Sequence, residues 1–186
     1  NGEEYLLVHH KKEYDEILSV IKSIDASIHK NKVSKEKTML GKMLYSPSSL
    51  NIDFKDKLDE LHWKESRRDF YVSDQFEIVN HIESMSFKEQ KNYLNSIGYP
   101  LMQSYNQTDF IKNKIGVEVQ LGKYFSVTYD LFVKHLSFYG SGMINVGIEI
   151  VPMKSMQKEM SSGPPWYEKE IHNVMRHGRT NPPVPL

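Results

Sequence analysis

No cysteine occurs in this chain. Disulfides, thiolate metal centres and cysteine nucleophiles are therefore excluded, and the composition fits a cytoplasmic protein. Net charge is missing as well. Lys and Arg number 24 and Asp and Glu 24, so overall charge offers no attraction for a polyanion, and any nucleic-acid contact has to rest on local clusters. No apolar run approaches the ~18 residues that span a bilayer, so neither a transmembrane helix nor a signal peptide is expected. A Gly-rich phosphate loop, a Ser-His-Asp arrangement and a Gly-x-Ser-x-Gly elbow are all lacking. The His residues show no metal-ligand spacing: His9 and His10 are adjacent, and His172 and His177 lie too far apart. The chain opens on Asn1 and not on Met, so a few further N-terminal residues are expected.

What is present suits a globular protein. Charged residues make up 26% and aromatics 11% of 186 residues, a composition that folds at a length that can bury a core. No repeat, low-complexity tract or long linker interrupts it, so one domain over residues 1–186 is expected. Apolar spacings of three and four predict a helix from Glu13 to Ile28, a short one through Met39, Leu40, Met43 and Leu44 ending before Pro47, and a third through Phe54, Leu58 and Leu61. Ser86 and Glu89 form a capping-box pattern, with Gly98 as a stop. The first hundred residues thus read as mostly helical.

The texture then changes. Thr108 to Ile111 is β-prone, Asn113 and Lys114 suit a turn, and Gly116 to Leu121 alternates with a period of two. Helical spacing returns from Tyr124 to Tyr139, and Met143 to Val151 reads as another strand. A short helix from Lys154 to Met160, a loop at Ser161 to Pro165 and a last helix from Trp166 to His177 follow, then a Pro-rich tail from Asn181 to Leu186. A strand, a crossover helix and a strand make an α/β sheet with helices on its faces.

Glu118 and Gln120 sit two apart in a strand and share a face. Asp109 lies on the preceding strand, and a hairpin can fold it back beside Glu118. Two carboxylates that close repel, unless one takes a proton or a cation neutralises them. Hard oxygen donors of this kind suit Mg²⁺, which can drive phosphodiester hydrolysis. Gln120 can hold a water but cannot act as a base, because an amide has no useful basic pKa. The same alternation also suits a half-exposed strand whose polar residues face solvent, and spacing does not choose between the two. The basic stretch Lys30, Lys32, Lys35, Lys37 and Lys42 fits either phosphate contact or a solvated surface, as do Lys64, Arg67 and Arg68 beside Trp63. Arg176 and Arg179 suit the end of the last helix.

The runs Tyr105-Asn106-Gln107-Thr108-Asp109-Phe110 and Val117-Glu118-Val119-Gln120-Leu121-Gly122-Lys123-Tyr124 resemble the BglII/BstYI family of type II restriction endonucleases. The likeness extends through Ser34-Lys35-Glu36-Lys37-Thr38, Leu44-Tyr45-Ser46-Pro47, Trp63-Lys64-Glu65-Ser66-Arg67, Tyr129 to His135 and Lys158 to Gly163, and is greatest towards BstYI. The resemblance implies the PD-(D/E)xK nuclease fold, a mixed central sheet flanked by helices. It implies a homodimer that needs Mg²⁺ and cuts double-stranded DNA at a palindrome centred on GATC, leaving 5′ overhangs. The outer pairs implied are purine and pyrimidine (RGATCY). The family pattern Asp-x8-Glu-x-Gln places Asp109, Glu118 and Gln120 at the catalytic centre, with Gln where the wider superfamily has Lys. Asp109, Glu118 and the Val119 carbonyl would face the metal. Lys123 and Ser162 occupy the places of the base readers, although a phosphate contact for Lys123 and a turn cap for Ser162 remain open. Glu65 and Ser66 are weaker candidates near the centre. A DNA-binding protein without catalysis, or a repair nuclease of the same fold, are the competing readings.

Overall fold

The computed structural model describes residues 2–122 and 126–177. Two helices open the chain, α1 (Gly2–His9) and α2 (Lys11–Ser23). The second ends earlier than its apolar spacing suggests. The Asp25 side chain accepts the Ser27 N–H at 2.9 Å and starts a 3₁₀ turn at Ala26–His29, which leaves Ile28 exposed. The short helix expected through Met39 to Leu44 is instead a two-strand hairpin, β1 (Lys32–Val33) and β2 (Met43–Leu44). Gly41, at φ +75°, turns the chain between them, a conformation glycine adopts without strain. Helix α3 (Pro47–Glu60) begins where that helix was expected to stop. Ser46 caps it and Pro47 occupies its first turn, where a missing N–H costs nothing.

A nine-residue strand, β3 (Lys64–Val72), was not expected in the first hundred residues. Its sequence is mostly charged, and only Arg68 and Tyr71 are buried, so no period of two is visible. Helices α4 (Phe76–Ile82) and α5 (Phe87–Ser96) follow. The Ser86–Glu89 capping box closes in both directions, and Gly98 stands just past the helix end at φ +67°. Leu94, Ile78, Ile82 and Tyr71 form a small separate core here.

Strands β4 (Met102–Lys112) and β5 (Ile115–Val119) form the expected hairpin. Its turn residues Asn113 and Lys114 both have positive φ, as a tight two-residue hairpin requires. The chain then winds through α6 (Ser126–Tyr129), a π turn (Asp130–Lys134) and α7 (His135–Gly140). This crossover helix leads to β6 (Val146–Ile150), which pairs parallel with β5. Helices α8 (Lys154–Gln157) and α9 (Tyr167–His177) complete the described chain. Lys123, Tyr124, Arg179 and the Pro-rich tail lie outside the described residues.

The main sheet has the order β3-β4-β5-β6, antiparallel for its first two pairs and parallel for the last. One face carries Phe110, Ile115, Val117, Val119, Val146 and Ile150 into a core shared with Leu6, Ile17, Val20, Leu50, Phe54, Leu58 and Trp63. Glu16 ties that layer together, accepting from Trp63 Nε1 at 3.1 Å and from Lys112 Nζ at 2.6 Å. The crossover helix covers the opposite face, where Val127, Leu131 and Phe138 are buried. Arg68 anchors β3 to this layer by donating to Ser137 Oγ at 2.6 Å and to Glu83 Oε1 at 3.0 Å. No helix among the described residues is long and apolar enough to cross a membrane.

Candidate catalytic centre

The hairpin register builds the centre. Phe110 pairs with Val117, and one further step places Asp109 opposite Glu118. Directly opposed residues share a face with Cβ atoms roughly 5 Å apart. Asp109 also shapes the end of the ladder, since its Oδ2 accepts the Val119 N–H at 2.9 Å. In the next strand pair Glu118 stands beside Glu149. The sheet therefore presents Asp109, Glu118 and Glu149 in one row towards the crossover helix.

Glu118 is fully buried, which removes the reading of a solvent-facing polar residue. Burial pushes its carboxyl up to about 8, against the pull of Lys134 and with the help of Asp109. Its Oε1 accepts no hydrogen bond. The contact that offsets its charge is ionic, with Lys134 Nζ 2.6 Å from Oε2. The same ammonium lies 2.9 Å from Asp130 Oδ1. Asp130 is raised too, chiefly by burial, while Lys134 and the Gln120 amide favour its charged form. Gln120 therefore addresses a carboxylate of the crossover helix. Lys134 remains a cation: burial works against its charge, but Glu118 and Asp130 raise its pKa overall.

Behind this group, His135 Nε2 lies 2.8 Å from Glu149 Oε1. Burial, with Lys134 adjacent, lowers the imidazole to about 3, and burial beside other carboxylates raises Glu149. The ring fits because Gly116 and Gly147 leave room. A Cβ on Gly147 would come within 2.9 Å of three ring atoms.

Asp130, Lys134, His135 and Glu149 were not among the residues singled out in the sequence. Two signals for them exist. Gly-Val-Glu-Val and Gly-Ile-Glu-Ile recur in the two strands that pair, placing glycine and glutamate at matching register. Asp130 and Lys134 are an i,i+4 charged pair enclosing the apolar run Leu131-Phe132-Val133.

The other candidates are placed as follows. Glu65 accepts a hydrogen bond from Gln107 Nε2, and Ser66 pairs with Thr108, so β3 brings both beside the strand of Asp109. Trp63 is buried in the main core. Ser162 is exposed, and its N–H and hydroxyl donate to Glu36 Oε1 at 2.8 and 3.0 Å. Lys32 Nζ donates to Ser161 Oγ at 2.6 Å, and Lys30 pairs with Glu159. The basic β1–β2 segment thus packs on the loop that carries Ser162.

A cavity of about 410 Å³ adjoins the centre, lined by Tyr105, Asn106, Gln107, Gln120, Tyr129, Asp130 and Lys134. Arg67 stacks over the Tyr105 ring, its guanidinium carbon 3.8 Å from the ring centroid. Among the described residues no group of three or more His, Asp or Glu side chains is placed to hold a metal ion. Two carboxylates and the Val119 carbonyl are an oxygen-only set, and Mg²⁺ is commonly held by one or two carboxylates with water completing the shell. The unpartnered Oε1 of buried Glu118 fits a hard cation.

A mixed sheet with this centre at its antiparallel-to-parallel junction is a restriction-endonuclease fold. The crystal structure of restriction endonuclease BglII complexed with a DNA 16-mer superposes with a TM-score of 0.60 at 18% identity, over 91% of this chain and 66% of that one. The crystal structure of free BglII gives 0.52 at 16% identity, over 95% of this chain and 68% of that one. The chain thus spans about two thirds of the length of these neighbours. No curated protein matches it by sequence. The family described as restriction endonuclease BglII/BglIII matches residues 1–186, and the chain belongs to that family.

Proposed function

We propose that the protein is a type II restriction endonuclease, a homodimer acting in the cytoplasm as a single domain. It hydrolyses phosphodiester bonds of double-stranded DNA with Mg²⁺ at a palindrome centred on GATC and leaves 5′ overhangs. The observation that carries the reading is the row of carboxylates led by Asp109 and buried Glu118, in a chain matched by a restriction endonuclease family along its whole length. RGATCY, the site implied by the likeness to BstYI, is the specificity to test first.

Asp109 and Glu118, with the Val119 carbonyl, would hold the cation. When bound, Mg²⁺ supplies charge neutralisation at the phosphate and acidifies a water. Glu118 has to give up its proton to become a ligand, and Asp109 keeps its own orientation through the Val119 N–H. Gln120 orients polar groups at the cavity mouth but takes no proton, so the proton of the attacking water would pass to the DNA or to solvent water. Lys123 and Ser162 read bases. Tyr105 and Arg67 stack beside the cavity. A two-fold protein matches a two-fold site, and the exposed apolar side chains Tyr129, Val133 and Leu136 on the crossover helix offer surface that a second copy can cover.

The test is a plasmid digest with and without Mg²⁺, followed by mapping of the ends, and sizing of the protein by light scattering. Fixed cuts around GATC that require Mg²⁺ support the reading. Sequence-independent nicking would favour a repair nuclease, and specific binding without cleavage a DNA-binding protein. Asp109→Ala is expected to abolish cutting while specific binding persists. Cleavage near the wild-type rate in that variant removes Asp109 from the centre.

A further inference from the structure

Lys134 comes from the crossover helix, yet its ammonium lies among the carboxylates of the sheet. It is 2.6 Å from Glu118 and 2.9 Å from Asp130. The three side chains are 13%, 0% and 2% exposed. Apart from that ammonium, Glu118 has no hydrogen-bond donor. Uncompensated buried carboxylates are strongly unfavourable, so the arrangement needs a proton or a cation, and Lys134 supplies a cation. The ammonium thus sits against the same Glu118 carboxyl group that a divalent ion would use.

The lysine also has somewhere to go. Its side chain lines the cavity of about 410 Å³ beside Gln120 and Tyr129. Lysine carries a compact charge on a flexible four-carbon stem, so it can swing towards that space. Asp130 and Lys134 bound the π turn of the crossover helix, and such turns often occur at functional sites.

We propose that Lys134 is a stand-in cation of the metal centre: it bridges Glu118 and Asp130 before metal arrives, competes with the divalent ion for Glu118, and turns into the adjoining cavity when the ion binds. This rests on Glu118 being a metal ligand, as set out above. Lys134 acts through the carboxylates and is a positioning residue. Displacing it costs metal affinity, but it spares the empty centre a cluster of bare charges. Once turned outwards, it leaves an ammonium in a cavity otherwise lined by neutral side chains and Asp130.

The discriminating measurement is Ca²⁺ binding by calorimetry, without DNA, at one fixed pH well above 8, where Glu118 is ionised, for the wild type, K134M, K134Q, K134R and E118Q. K134M and K134Q are expected to bind Ca²⁺ roughly tenfold tighter or more, because a competing positive charge a few ångströms away is gone. K134R, which keeps the charge, is expected to bind no tighter than the wild type. A role for Lys134 confined to holding the fold would not reverse sign between these variants. Equal or weaker Ca²⁺ binding in K134M overturns the proposal, as it does in K134Q should K134M fail to fold. Tighter binding in K134R overturns it as well. E118Q is expected to lose the site, and unchanged Ca²⁺ affinity there means the ion binds elsewhere, which sinks both this inference and the catalytic centre. If the affinity order holds and the wild type cleaves no DNA with Mg²⁺, the nuclease reading fails while the role of Lys134 stands.

Discussion

Replacing Glu118 by Gln separates what the buried carboxylate costs the fold from what it does for the reaction. Glu118 is fully buried, with a carboxyl raised from 4.5 to about 8. Between those values the folded protein holds a proton that the unfolded chain has released. The contribution of this group to stability is therefore fully present below about 4.5 and lost as pH rises to about 8. The whole gap corresponds to roughly 5 kcal/mol as an upper bound. Relaxation and water entry in a real interior reduce it to about 2–4 kcal/mol. Gln has nearly the same shape and carries no charge, and Lys134 keeps Asp130 as a partner in the variant. E118Q is thus expected to match the wild type within about 1 kcal/mol near pH 5 and to exceed it by about 2–4 kcal/mol near pH 8.5. The assay is urea unfolding in EDTA at several pH values, followed by Trp fluorescence, for which buried Trp63 is a suitable reporter. DNA cleavage is measured in parallel and is expected to vanish. A stability difference that does not change with pH, or a variant less stable than the wild type at pH 8.5, refutes the electrostatic argument.

Gly147→Ala puts a methyl group 2.9 Å from the His135 ring and is expected to destabilise by about 1–3 kcal/mol in thermal unfolding. Gly116→Ala meets Ile144 at 3.3 Å and should cost less, so the reverse order would discount the packing of His135. Gln120→Glu keeps an oxygen at the cavity and is expected to retain part of the cleavage rate in a single-turnover assay. Complete loss with the fold preserved removes the proposed role of that side chain. Lys123→Ala is expected to change discrimination between sites by roughly 1–3 kcal/mol if the residue reads a base, whereas a uniform loss over all sites marks a phosphate contact.

The sequence by itself determined the elements whose signals are local. The Ser86–Glu89 box, the Asn113–Lys114 turn and the alternation around Glu118 depend on neighbours a few residues away, and each appears where it was read. So does the parallel strand after a crossover helix, because that connection has few geometries. Local reading failed where tertiary pairing overrides pattern. The charged strand β3 owes its conformation to β4 alongside it, and the Met39–Leu44 segment is a strand because it pairs back on Lys32–Val33. The centre divides in the same way. That Asp109 and Glu118 meet was legible because a hairpin register relates them directly. Whether Glu118 faced water or the interior was not, since alternation has the same form in both cases and only the crossover helix packed over it decides. Lys134, Asp130 and Glu149 became visible only once that helix and β6 were laid against β5. Charges distant in sequence acquire a shared energy only when folding removes the water between them, and that part of the site belongs to the tertiary structure alone.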